Sequence, residues 1–117
     1  MRGENGVEDL SPEEVRRGVE AGELVLVDVR EPDEFADERI ADAANAPLSA
    51  FDPSVWPLDG AARVVLYCKV GGRSRRAAEA ARAMGVAVDA HLDGGIIAWK
   101  RAGLPTLAGA PDGETAP

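Results

Sequence analysis

An α/β fold built on a mainly parallel sheet is predicted by two continuous apolar runs, Leu24-Val25-Leu26-Val27 and Val64-Val65-Leu66-Tyr67, and by the helical segments that alternate with them. A run with no polar alternation is what a strand covered on both faces requires, and such strands pair in parallel through helical crossovers. At 117 residues the chain fits one domain with one core.

The elements follow in order. Residues 1–8 are expected to be a flexible N-terminus, 9–107 the domain, and 108–117 a flexible tail rich in small residues, proline and acid. Ser11-Pro12-Glu13-Glu14 has the form of a capping box with proline at the first helical position, and Val15 and Val19 recur four apart before Gly22 ends the helix. The first apolar strand is closed by Asp28. Glu31-Pro32-Asp33-Glu34-Phe35 then opens a short helix with acid at its start, Ala43 to Pro47 reads as a brief extended segment, and Ser49 to Trp56 as a helical turn plus loop. After the second apolar strand, Ser74 is expected to cap a helix running through Met84, whose alanines at 77, 78, 80, 81 and 83 let it lie close on the sheet. Gly85 ends it before a strand at Val86-Ala87-Val88. Asp93 is expected to cap a last short helix that Gly94 and Gly95 introduce and Gly103 and Pro105 close, with Trp99 in the core.

Charge and composition exclude several function classes. No apolar stretch approaches the roughly 20 residues needed to cross a bilayer, and a formal net charge of −8 disfavours a general binder of nucleic acid or of anionic membranes. The N-terminal Met1-Arg2-Gly3-Glu4-Asn5-Gly6 lacks the apolar segment of a secretory signal, and one cysteine cannot form an internal disulfide, so a cytoplasmic location is expected. Local charge differs from the global balance. Lys69, Arg73, Arg75 and Arg76 put four of the thirteen basic residues within eight positions of the lone cysteine, which would draw an anionic small substrate; Arg75 and Arg76 read equally well as the wet face of a helix.

That cysteine, Cys68, ends the second apolar strand and opens the loop Lys69-Val70-Gly71-Gly72-Arg73-Ser74. Two glycines free the backbone to aim amide hydrogens inward, and these, a helix N-terminus and Arg73 together favour an anion at the loop centre. A thiolate is such an anion, so Cys68 is the candidate nucleophile and the six loop residues the candidates for holding its substrate. Arg73 has a second reading, as a tie between the loop and an acidic neighbour. His91 is the only histidine and has no cysteine or second histidine near it in sequence, so no metal is expected. Gly71-Gly72 fits neither a phosphate-binding loop nor a dinucleotide fingerprint, and no cofactor is expected.

Three segments, taken together and in order, resemble the rhodanese (sulfurtransferase) domain family: Leu26-Val27-Asp28-Val29-Arg30-Glu31-Pro32-Asp33-Glu34-Phe35, Tyr67-Cys68-Lys69-Val70-Gly71-Gly72-Arg73-Ser74, and Leu92-Asp93-Gly94-Gly95-Ile96-Ile97-Ala98-Trp99. The likeness spans about residues 9–105. It implies an open, mainly parallel sheet with helices on both faces and a site at the C-terminal edge of the sheet beneath the Cys68 loop. It further implies that the Cys68 thiolate takes a sulfane sulfur from an anionic donor such as thiosulfate, holds it as a persulfide against the loop amides, and passes it to cyanide or another thiol or protein acceptor. Asp28 and Arg30, which end a strand where side chains commonly line a site, are implied to be a supporting ion pair. The chain departs from the family pattern at Glu38-Arg39-Ile40-Ala41-Asp42-Ala43, where Gly-His-Ile-Pro-Gly-Ala is common, so the bend there has to be made differently and Arg39 replaces the usual histidine.

Two other functions compete. A cysteine phosphatase or arsenate reductase also uses a Cys-to-Arg loop with inward amides, but its loop is one residue longer than the four residues between Cys68 and Arg73, and a general acid for the leaving oxygen is not identifiable. A non-catalytic rhodanese module that docks a regulatory partner is the other, against which the presence of Cys68 in an intact loop counts.

Overall fold

In the computed structural model, which describes residues 6–58, 60 and 62–108, the strands are β1 (Glu8–Leu10), β2 (Leu24–Asp28), β3 (Glu38–Arg39), β4 (Ala44–Asn45), β5 (Arg63–Tyr67), β6 (Ala90–Leu92) and β7 (Leu107–Ala108). The helices are α1 (Pro12–Glu20), α2 (Pro32–Asp37), α3 (Gly72–Ala83) and α4 (Gly95–Arg101). Five strands form a parallel sheet in the order β1-β6-β5-β2-β4, and β3 pairs with β7 in a separate antiparallel ribbon. Of the flexible ends expected at 1–8 and 108–117, residues 1–5 and 109–117 lie outside the described residues. Within them, Val7 is fully buried and Glu8 already belongs to β1, so the folded domain begins before residue 9. No helix among the described residues is long and apolar enough to cross a membrane.

The sheet divides the core in two. Alternation along β5 sends Val64 and Leu66 to one face, where Cys68 joins Val27, Val29, Trp56, Val88 and the small face of α3 formed by Ala77, Ala78 and Ala81. Val65 and Tyr67 go to the other face, with Leu24 and Leu26 of β2, Val15 of α1 and Ile96 and Trp99 of α4. Helices therefore cover both faces of an open sheet, as the unbroken apolar runs require.

Most elements fall where the sequence places them. Ser11 caps α1 with both halves of the capping box made: its Oγ accepts from Glu14 N–H at 3.1 Å, and Glu14 Oε1 accepts from Ser11 N–H at 2.8 Å. The segment from Ser49 to Trp56 resolves into two single 3-10 turns, Leu48–Ala50 and Pro53–Val55. Three readings need correction. Ser74 is not the cap of α3: Gly71, at φ +112, turns the chain so that the helix starts at Gly72 and leaves Ser74 in its first turn. Val86-Ala87-Val88 is not a strand; Val88 is buried in the core and the chain pairs in the sheet only from Ala90, which brings His91 into β6. Asp93 does not cap α4, whose first residue follows Gly94 in left-handed conformation with no side-chain cap.

The departure at residues 38–43 has a definite structural answer. Asp42 takes the left-handed conformation at φ +66, the only non-glycine among the described residues to do so, and makes the bend at the position where the common pattern has its second glycine. Glu38 and Arg39 form β3, where the Glu38 carboxylate accepts from Lys100 Nζ at 2.8 Å and from Thr106 Oγ1 at 2.6 Å, and the Arg39 guanidinium lies 5.3 Å from the Phe35 ring centroid. Asp42→Gly is expected to relieve the left-handed strain and raise stability by about 0.5 kcal/mol, net of the greater chain entropy of glycine. A urea midpoint that fell in this variant would contradict that account.

Candidate active site

The site is assembled where β5 runs into α3. Cys68 leaves the C-terminal end of β5, and within four residues the chain reverses through Gly71 into the helix. Because Gly71 is left-handed, the N–H groups of the turn point inward: Gly71 N–H donates to Cys68 Sγ at 3.1 Å and Ser74 N–H at 3.3 Å. Ser74 Oγ is the third polar neighbour of the sulfur, at 3.5 Å. The side chain is 1% exposed and packs in the α3-side apolar cluster, so the polar surroundings inferred from its sequence neighbours hold only on the loop side of the sulfur. Lys69, Val70 and Gly72 lie exposed around that side.

A second clamp fixes the loop from behind. The first amides of α4 donate to the loop carbonyls, Ile96 N–H to Cys68 O at 2.9 Å and Ile97 N–H to Lys69 O at 3.1 Å. This contact is possible because residue 95 is glycine: at φ +61, a Cβ there would stand 2.3 Å from Lys69 O and 2.5 Å from Cys68 O. The carbonyls of Cys68 and Lys69 are thereby turned to α4 and away from the sulfur, while the Gly71 carbonyl accepts from Arg75 N–H and the Ser74 hydroxyl.

Asp28 and Arg30 meet as an ion pair, and two of the four expected cations are paired. Asp28 and Arg30 form a buried ion pair, Nε to Oδ1 at 3.0 Å and Nη2 to Oδ2 at 2.8 Å, and Arg30 also donates to the Glu38 carbonyl. Asn45 holds the turn after β2 by donating to the carbonyls of Asp28 and Arg30 at 3.0 and 2.9 Å. Arg73 takes its second reading in this structure: its guanidinium makes a two-pronged pair with Glu34, at 2.9 and 3.1 Å. Arg75 pairs with Asp9. Among the described residues, Lys69 and Arg76 have no ion-pair partner, so the positive field expected from four cations rests on two.

Three residues of the neighbourhood escaped the sequence reading. Glu34 is the third helical residue of α2, where it accepts from Glu31 N–H at 2.9 Å and pairs with Arg73 at the same time; its capping-box spacing from Glu31 was the available signal. Asp9 and His91 meet across 82 positions of sequence through β1-β6 pairing, and only the register of two strands brings them together. Buried His91 contacts Ser74 Oγ through Nδ1 and Asp9 Oδ1 through Nε2, each at 2.8 Å. Asp93 approaches the same group, with ligand-type atoms of Asp9, His91 and Asp93 all within 4.8 Å, although the ring nitrogens of His91 are already engaged by Asp9 and Ser74.

With this geometry in view, comparison with known proteins gives a consistent answer. Residues 11–102 match the rhodanese-like domain, and the chain belongs to that family. It is 43% identical over 98 residues to an uncharacterized protein of Synechocystis sp., covering 84% of this chain and 55% of that protein. It is 36% identical over 98 residues to a sulfurtransferase of Allochromatium vinosum, covering 84% of this chain and 90% of the relative. Among solved structures, a thiosulfate sulfurtransferase of Pseudomonas aeruginosa superposes with a TM-score of 0.77 at 26% identity over 88% of this chain and 20% of that one.

Two outcomes are expected. The Arg73 contacts hold the Glu34 carboxyl down at about 2, from an ordinary 4.5, so the pair contributes in full above pH 4.5 and is lost as pH falls through 2. The stability difference between the protein and Glu34→Gln, followed by urea unfolding, should therefore shrink steadily across that interval; a difference that stayed flat would remove the ion pair from the account. Gly95→Ala should cost about 1–3 kcal/mol by driving α4 off the loop carbonyls, and slow alkylation of Cys68 where the variant remains folded. An unperturbed urea midpoint would show that α4 does not clamp the loop.

Proposed function

We propose that this protein is a sulfurtransferase of the thiosulfate sulfurtransferase (rhodanese) type, carrying a sulfane sulfur on Cys68. The observation that supports this most directly is the convergence of Gly71 N–H and Ser74 N–H on one sulfur atom. Such donors stabilise a thiolate in the resting protein and the anionic outer sulfur after transfer, at a position shielded from water.

In the first half-reaction the Cys68 thiolate attacks the outer sulfur of thiosulfate. The sulfur–sulfur bond of the donor breaks, and sulfite leaves with its electron pair. Cys68 then bears a persulfide. In the second half-reaction cyanide or a thiolate attacks that terminal sulfur, the new sulfur–sulfur bond breaks, and the Cys68 thiolate returns. With one cysteine in the chain there is no internal thiol to resolve the persulfide, so the acceptor comes from outside. Among the described residues, Lys69 and Arg76 are the cations of this neighbourhood without an ion-pair partner, available to draw an anionic donor. Asp28 and Arg30 serve by fixing the end of β2 beside the loop. We place the reaction in the cytoplasm, where a lone cysteine stays reduced.

Incubation with thiosulfate should add about 32 Da, one sulfur atom, to the intact protein, removable by dithiothreitol and absent in Cys68→Ser. Thiocyanate formation from cyanide should vanish in the same variant. Turnover that survived Cys68→Ser, or a wild-type mass that never changed with thiosulfate or a low-molecular-weight persulfide, would defeat the proposal.

A further inference from the structure

Behind Cys68 lies a buried chain of hydrogen bonds that sulfur transfer by loop amides alone does not use. It runs from Cys68 Sγ to Ser74 Oγ at 3.5 Å, from Ser74 Oγ to His91 Nδ1 at 2.8 Å, and from His91 Nε2 to Asp9 Oδ1 at 2.8 Å. Ser74 is fully buried and His91 is 1% exposed. Four elements contribute: β5 and its loop, α3, β6 and β1.

The chemistry of the groups fixes the direction of this chain. The Asp9 carboxylate only accepts, so His91 donates to it from Nε2–H. In a neutral imidazole, Nδ1 then bears no hydrogen and accepts from the Ser74 hydroxyl at 2.8 Å, closer than the other acceptor within its reach, Gly71 O at 3.2 Å, to which the hydroxyl turns once Nδ1 is protonated. That leaves the lone pairs of Ser74 Oγ for the S–H of Cys68. Every donor points away from the sulfur and toward Asp9.

We propose that Ser74 and His91 form a proton relay for Cys68, with Asp9 as the positioning residue that fixes the His91 tautomer. The proposal rests on the sulfur-transfer reading of Cys68. In the step, the S–H bond breaks as Ser74 Oγ takes the proton, while the Ser74 O–H bond breaks and its proton goes to His91 Nδ1. The products are a Cys68 thiolate held by Gly71 and Ser74 N–H, an unchanged Ser74 hydroxyl, and an imidazolium with both nitrogens protonated. No electron is gained or lost. The relay supplies a buried thiol with a proton acceptor that needs no water at the site.

The charges that face the imidazolium decide whether it can hold the proton. Asp9 from β1 bonds its Nε2, and Asp93 from the loop after β6 lies within the same 4.8 Å group, both favouring the charged ring. Arg75 from α3 opposes them by sharing the Asp9 carboxylate. Cys68 itself, once ionised, is the third anion near the ring. Two carboxylates, and the thiolate once formed, thus stand around the ring with one guanidinium among them. The placement of Ser74 inside α3, and not at its cap, is what gives its hydroxyl this use; Gly71 carries the turn instead, and the His91 ring packs beneath it, with Cε1 3.7 Å from where a Gly71 Cβ would stand.

The test is the pH dependence of Cys68 alkylation by iodoacetamide, which reads ionisation without any sulfur transfer. Ser74→Ala, His91→Asn and Asp9→Asn should each move the midpoint upward and slow alkylation at pH 7 by about threefold or more, as expected for loss of a nearby proton acceptor or of the charge that supports it. Asn at 91 can still accept from Ser74 but cannot take up a proton, so it separates proton storage from hydrogen bonding. If Ser74→Ala, an alanine in a helix that folds readily, leaves the midpoint in place, the relay is wrong. It is equally wrong if Ser74→Ala shifts the midpoint while folded His91→Asn does not. Nitrogen NMR of His91 adds a signature: replacement of Cys68 by alanine should change the pH at which Nδ1 becomes protonated, and an identical titration would overturn the proposal. A wild-type protein that takes up no sulfur while these shifts appear would defeat the sulfur-transfer reading and leave the relay standing; normal sulfur uptake without the shifts would do the reverse.

Discussion

The arrangement around Cys68 depends on a backbone contact that involves no catalytic side chain, the docking of the first turn of α4 onto the carbonyls of Cys68 and Lys69. A tight turn has a fixed supply of N–H and C=O groups, and each must find a partner or face a desolvation penalty. By taking up two carbonyls with Ile96 and Ile97 N–H, α4 keeps them away from the side of the turn where Gly71 and Ser74 N–H meet the sulfur. Gly95 is the residue on which this rests, because the approach distances leave no room for a side chain. The Gly-Gly-x-x-x-Trp segment thus does two jobs: its glycines admit α4 to the loop, and Trp99, 5% exposed with Nε1–H donating to Pro105 O at 2.8 Å, anchors the far end of that helix in the core.

Charge is managed around the site by pairing. The chain is acidic overall, and three of the arginines near the site meet a carboxylate: Arg30 meets Asp28 two residues before it, Arg73 meets Glu34 of α2, and Arg75 meets Asp9 of β1. Arg73 links α3 to α2, and Arg75 links α3 to β1, so the helix that carries Ser74 is tethered on two sides. Exposed pairs contribute little to stability, but half-buried two-pronged pairs such as Arg73 with Glu34 also restrict geometry, and here they restrict the helix whose first turn faces the sulfur. The positive potential left for a donor comes from Lys69 and Arg76, at the exposed surface of the loop and helix.

The parts of this structure that were legible in sequence are those governed by local rules. The capping box at Ser11, the apolar runs of β2 and β5, and the glycine-bounded helices are each determined within a few residues, as is the Cys68 loop. The pairing of Asp28 with Arg30 follows the family resemblance, and their separation of two residues lets the guanidinium fold back on the carboxylate. What escaped is governed by register and by turns. β1 and β6 are three residues each, too short for a periodic signal, and β6 carries a buried histidine that reads as polar. Asp9 and His91 become neighbours only because those strands pair Asp9 opposite His91. Ser74, two residues after the glycine pair, has the residue type of a cap, whereas the left-handed Gly71 starts the helix earlier and changes the serine's role. The bend at Asp42 was foreseen as a problem, but its solution, an aspartate in a glycine conformation, depends on the tolerance of short polar side chains for that region.

The competing reading as an oxyanion hydrolase weighs differently once the positions of Arg73 and the amides are known. A tetrahedral phosphate or arsenate presents several oxygens, and a cradle for it needs donors spread over their positions, usually with a guanidinium gripping two of them. Here the guanidinium of Arg73 grips Glu34, and a carboxylate at that place would repel an oxyanion brought into its reach. The two backbone donors that contact the site meet at a single atom, Cys68 Sγ. Recruiting Arg73 to a phosphate would strand Glu34, whose carboxyl is held at about 2 by that same arginine. A cargo of one sulfur atom asks for none of this rearrangement: it extends the cysteine by one bond, keeps its charge on one centre, and leaves Arg73 where it ties α3 to α2.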